Sequence, residues 1–233
     1  MNKLNKIRLP LDIMMTLVSI VLMGGNFLFP TEIVHEILGV ALFVLWTIHI
    51  ILNRRWYASL AQASKLITST NANDRRSYGA IFKGKYNPYR IMQTVINCGI
   101  LICTIFLMIS GIILSNQLFT FLNIQSGLGF ARIAHLLSSH WYYLFMSLHI
   151  GLHMGRFFQN VAAKIIPRII LALVCAYGLY AFIIRGVWKY LVLKQQFFFF
   201  DLERGYILFA MDYISIIILF ATISHFIAKL LKK

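Results

Sequence analysis

The sequence predicts an all-α integral membrane protein with six transmembrane helices and both termini cytoplasmic. Three observations lead there. Of the 233 residues, 60% are hydrophobic and 12% charged, against about 45–50% and about 25% in soluble domains, which excludes a soluble enzyme. The apolar residues gather into six runs of bilayer-spanning length, at 11–29, 33–53, 91–114, 133–155, 168–187 and 205–228. Of the 22 Lys and Arg, 17 fall in the N-terminal segment, the 54–90 loop, the 156–168 loop and the C-terminus. Six alternating spans put those four segments on one side, and the positive-inside bias makes that side the cytoplasm. The formal charge of +15 is thus read as topology, not as a nucleic-acid surface.

The first run follows Lys3, Lys6 and Arg8 with no small-residue cleavage site before Pro30, so it reads as an uncleaved span. The second carries His35 and His49. The 54–90 loop is polar, with Ser69 to Asn73 and an Asn87–Pro88 turn. It reads as a topogenic cytoplasmic connection, with a partner-docking surface as the alternative. The third run holds Cys98, Cys103 and Gly111, and the fourth holds four histidines. In the fifth, Arg185 and Lys189 continue an amphipathic pattern into Trp188 and Tyr190, which suits an interfacial helix before the phenylalanines at 197–200. The sixth contains Asp212, the one acidic residue well inside a span. Residues 1–160 are expected to form a four-helix core, with 161–233 adding two helices packed on it. Three cysteines without CxxC spacing, Cys175 being the third, read as small buried hydrophobes.

All seven histidines lie in apolar runs, where an ionisable side chain is expensive and faces the bundle interior to serve something. His35 and His49 are 14 residues apart, as are His135 and His149. Fourteen residues bring a helix back to within about 40° of the same face and about 21 Å further along its axis. The second and fourth spans run parallel, so His35 comes level with His135 and His49 with His149. Imidazoles from facing helices can clamp the iron of a b-type haem from both sides. Zinc would call for three or four ligands at one point. The spacing therefore points to two b-type haems (haem b) in a four-helix di-haem bundle, one near each membrane face, with hydrogen-bonding or proton-gating histidines as the alternative.

Neighbouring residues suit the same reading. Gly39, one turn after His35, leaves room for a flat macrocycle or for a neighbouring helix. Arg132 beside His135, and Arg54, Arg55 and Arg156 beside His49 and His149, are candidates for the haem propionates. Only Arg132 lies on the side where topology does not ask for a cation. His153, one turn beyond His149, is either the inner ligand in its place or a propionate partner; His149 matches the level of His49. His140 is expected to hydrogen-bond between helices, and His225 has no partner at matched spacing. Trp46 and Tyr142 lie between the two levels and read as packing aromatics.

The run HEILGVALFVLWTIHIILNRRW, from His35 to Trp56, resembles the first signature of the flavinylation-associated cytochromes. HLLSSHWYYLFMSLHIGLHMGRF, from His135 to Phe158, resembles their second, with His135, Ser139, Trp141, His149, Gly151 and His153 in place. A softer similarity runs from Phe200 and Asp201 through Asp212 and Tyr213 to the basic C-terminus. His140 departs from the pattern, which has an aromatic there. The resemblance implies a di-haem b-type cytochrome passing electrons across the membrane, often to an extracytoplasmic protein bearing covalently bound flavin (FMN).

There is no dinucleotide fingerprint or P-loop, so electrons are expected from menaquinol, another quinol or a cytoplasmic reductase. Membrane lipid is the other expected partner. Two rivals stand beside this electron-transfer component: a transporter using the histidines as proton or metal sites, and a scaffold subunit with structural haem. Outer-side Asp201, Glu203 and Arg204 are candidate partner contacts.

Overall fold

The computed structural model describes residues 3–25, 29, 31–55, 58, 87–198 and 205–232. Most of the 54–90 loop, the phenylalanines at 199 and 200, and Asp201, Glu203 and Arg204 lie outside them. The described residues form helices joined by turns, with no strand among them. In chain order the helices are α1 (Lys3–Leu22), α2 (Glu32–Leu52), α3 (Pro88–Leu114), α4 (Leu128–His153), α5 (Gly155–Ala162), α6 (Ile165–Ile184), α7 (Val187–Leu191) and α8 (Gly205–Leu231). A single 3₁₀ turn, Thr120–Leu122, lies between α3 and α4.

Local chemistry fixes several of the ends. Asn87 caps α3 by accepting the Tyr89 N–H at 3.1 Å, with Pro88 in the first turn, where its missing N–H costs nothing. Gly186, at φ +62°, turns the chain between α6 and α7 in a conformation that side chains with a Cβ resist. Glu36 on α2 fastens the turn after α3, accepting from Ser115 Oγ, Asn116 N and Leu118 N at 2.6–2.9 Å.

Four helices, α2, α3, α6 and α8, are long and apolar enough to cross a membrane. Six spans were expected, and a long helix forms at each expected place, but α1 and α4 do not reach that apolarity. Lys3, Lys6, Arg8 and Asp12 fill the first half of α1, while α4 carries four histidines, three serines and Arg132. Ile37, Val44, Ile48, Ile102, Ile109, Ile170, Leu173, Ile183, Ile207 and Phe226 are exposed on the four apolar helices, as lipid contact requires and water does not favour.

The core lies between α4 and its neighbours. α3 and α8 pack along α4, and α6 packs along α8. One buried cluster draws Ile20 from α1, Met23 from the turn after it, Cys103 from α3, Tyr142, Tyr143 and Met146 from α4, Ala181 from α6, Val187 from α7 and Phe209, Tyr213, Ile216 and Ile217 from α8. Glycines let these backbones meet. A Cβ on Gly151 would stand 2.1 Å from the Ala221 carbonyl oxygen, and one on Gly178 would stand 2.4 Å from that of Ser215. Between α6 and α8, Arg185 Nε donates to the fully buried Asp212 at 2.7 Å, and the Tyr177 hydroxyl donates to the same carboxylate.

α2 is built differently. It packs beside α1 and touches α3, yet none of its residues is buried. A helix this apolar, unburied on every face and carrying two histidines, borders both lipid and a gap in the bundle.

Candidate functional site

The histidines of α2 and α4 face each other across that gap. The His35 and His135 rings have centroids 6.4 Å apart, and those of His49 and His149 are 6.3 Å apart. The equal fourteen-residue spacings thus come into register, which requires α2 and α4 to run parallel. Two imidazoles bound from opposite sides to one metal, with about 2.0–2.1 Å from nitrogen to metal and about 1.1 Å from nitrogen to ring centre, place those centres about 6.3 Å apart. Both pairs have that separation.

Which nitrogen is free to bind is set by the neighbours, and these the sequence reading missed. Asp12 on α1 accepts the His49 Nδ1–H at 2.8 Å. Asn97 on α3 accepts that of His149, also at 2.8 Å. Ser110 on α3 gives its own hydroxyl hydrogen to the Phe106 carbonyl at 2.6 Å, so at 3.0 Å its oxygen accepts the Nδ1–H of His135. A neutral imidazole has one N–H, so all three rings keep the lone pair on Nε2. Metal-bound histidines are commonly held this way by a second partner at the other nitrogen. His35 differs, because its Nδ1 is buried without a partner. At the His49 and His149 pair, Asn53 Nδ2 lies 3.3 Å from His49 Nε2 and is the group a metal there would displace. Asp12 and Asn97 were open to discovery only as polar residues at unremarkable places in apolar runs.

Beside the His35 and His135 pair lies a cavity of about 490 Å³, within the about 300–1,000 Å³ usual for cofactor pockets. His35, His135, Gly39, Phe43, Leu107 and Gly111 line it, and Arg132 stands at its edge, exposed. A Cβ on Gly39 would meet nothing within 4 Å, so this glycine opens onto space and is not a packing contact. Gly111 lies against the ring of His135, 3.7 Å from where its Cβ would be. The donor set, the ring separation and the adjoining cavity fit a haem, which His35 and His135 would hold.

Of the remaining candidates, His153 lies beside the His49 and His149 pair. His153 is the last residue of α4 and exposed; its ring lies 4.6 Å from His149. Arg54 and Arg156, which follow His49 and His149 in the chain, are exposed. Arg8, read only as a topogenic charge, donates to the Leu52 carbonyl at the end of α2, at 2.6 Å. His140 does not bridge helices by hydrogen bonding: its Nδ1 bonds Leu136 of its own helix, and its face stacks on Tyr190 of α7 at 4.2 Å. His225 stacks on Phe158 at 4.4 Å. Among the described residues no group of three or more His, Cys, Asp or Glu is arranged to hold a metal ion. No protein-family model, curated protein or solved structure matches the chain.

Proposed function

We propose that the chain is a six-span di-haem b-type cytochrome that carries electrons across a bacterial cytoplasmic membrane, with both termini inside. The observation that carries this reading is the pairing of His35 with His135 and of His49 with His149 at ring separations of 6.4 and 6.3 Å. Haem b held at each pair would supply a one-electron Fe(III)/Fe(II) couple near each face of the membrane. The chain's own residues position and shield those couples. Asp12, Asn97 and Ser110 aim three of the ligands, and Gly39 leaves clearance beside His35. Arg132 offers a guanidinium to a carboxylate at the outer pair, and Arg54 or Arg156 offers one at the inner pair.

The donor in this reading is a quinol or a cytoplasmic reductase. The acceptor is an extracytoplasmic, flavinylated protein, as the resemblance to the flavinylation-associated cytochromes implies. A transporter has less support, since Asp212, the carboxylate it would use within a span, is bound by Arg185 and Tyr177.

The test is a reduced-minus-oxidised spectrum with haem quantitation on the detergent-purified full chain. Two b haems per chain are expected, falling to about one in His35→Ala and in His149→Ala. A wild-type chain without haem after haem-sufficient expression defeats the proposal.

A further inference from the structure

His140 follows His135 by five residues, which places it about 140° further round α4. Both nevertheless line the same cavity. The cavity that reaches the paired histidines thus also reaches His140, and Met23, Gly25, Gln196 and Phe198 line it as well. His140 itself is 1% exposed.

Its protonation pattern follows from its neighbours. Nδ1 lies 2.8 Å from the Leu136 carbonyl oxygen, which can only accept, so Nδ1 carries the proton and Nε2 the lone pair. That Nε2 is buried and has no hydrogen-bond partner. The nearby hydroxyls are engaged: Ser139 donates to the Leu136 carbonyl at 2.8 Å, and Tyr142 pairs with Ser19 at 3.2 Å. A buried acceptor left unsatisfied costs free energy, and a ligand that brings a donor recovers it.

This limits the ligand's chemistry. Ionised carboxylates and phosphates, an ionised haem propionate included, offer Nε2 only further acceptors. A group that reaches an apolar cavity between membrane helices must itself be largely apolar. A flat aromatic ring with a phenolic O–H and a lipid-soluble body meets both demands. We propose that the cavity at His140 is a hydroquinone-binding site in which Nε2 accepts a hydrogen bond from a quinol hydroxyl. This rests on the electron-transfer reading and gives its donor a place, beside the His35 and His135 pair.

The test uses the full chain in lipid nanodiscs and a fluorescent quinol analogue, 2-heptyl-4-hydroxyquinoline N-oxide, whose quenching reports binding, with haem quantified on the same samples. Saturable binding of one probe per chain is expected. His140→Phe, which keeps a flat ring on Tyr190 but has no acceptor, should weaken it about ten-fold while retaining the wild-type haem content. Photolabelling of the wild-type chain with an azidoquinone should mark peptides carrying His140 or residues 196–198, a readout independent of how the variant folds. Unchanged probe affinity in His140→Phe, or labelling confined to other peptides, overturns the site. Two haems per chain with no probe binding also overturns it and leaves the conduit standing. Probe binding lost in His140→Phe on a chain that holds no haem keeps the site and removes the conduit.

Discussion

His49 on α2 donates its Nδ1–H to the Asp12 carboxylate on α1 at 2.8 Å, so a neighbouring helix sets the orientation of the ring that faces His149. Removing a partner of this kind usually costs a metal ligand about 10–100-fold in affinity. Asp12→Ala should therefore weaken haem retention at the inner pair by about that factor and leave the outer pair loaded. Asp12→Asn, which keeps an acceptor oxygen, should lose less. Haem titration of the stripped protein measures both.

Gly39 and Gly151 should respond in opposite ways to a side chain. A Cβ at Gly39 meets open cavity, whereas one at Gly151 meets the α8 backbone at 2.1 Å. Gly39→Leu is expected to leave the haem-free chain's unfolding midpoint unchanged while reducing haem from two per chain to about one. Gly151→Ala should destabilise the fold by about 1–3 kcal/mol through overpacking, as read by unfolding in mixed detergent micelles.

His149 and His153 separate by their partners. His149 faces His49 and is held by Asn97, while His153 is the exposed last residue of α4. His149→Ala should remove the inner haem, and His153→Ala should retain it, with at most a shift in the reduced α-band or midpoint. Loss of one haem in His153→Ala with two retained in His149→Ala would reverse the assignment.

The Arg185–Asp212 pair is almost fully enclosed, with side chains 8% and 0% exposed. Breaking such a pair from one side leaves a buried charge and costs about 3–5 kcal/mol, while replacing both partners with apolar residues costs far less. Arg185→Met alone should fall in that range. The double variant Arg185→Met, Asp212→Leu should recover most of it, with haem content unchanged, because the cluster lies between α6 and α8 and away from the histidine pairs.

How far the site was legible differs from residue to residue. The pairing of His35 with His135 and of His49 with His149 followed from helical rise and parallel direction, both read directly from spacing. Asp12, Asn97 and Ser110 did not, since what each touches depends on how α1 and α3 are rotated against α2 and α4. His140 shows the same limit: its angle from His135 was readable, but its stack on Tyr190 requires α7 to fold back against α4. Gly39 and Gly151 look alike in sequence, and only their surroundings separate a glycine that opens a cavity from one that closes a helix interface.

By itself the sequence determined an all-helical, lipid-facing chain and the heights at which its histidines stand, because composition, bilayer thickness and a fixed rise per residue are properties of single segments. The tertiary structure decided that α2 stands unburied beside a gap, that three imidazoles turn Nε2 away from their Nδ1 partners, and that the cavity also reaches His140. Those depend on the distances and rotations between helices, which packing sets and no single segment encodes.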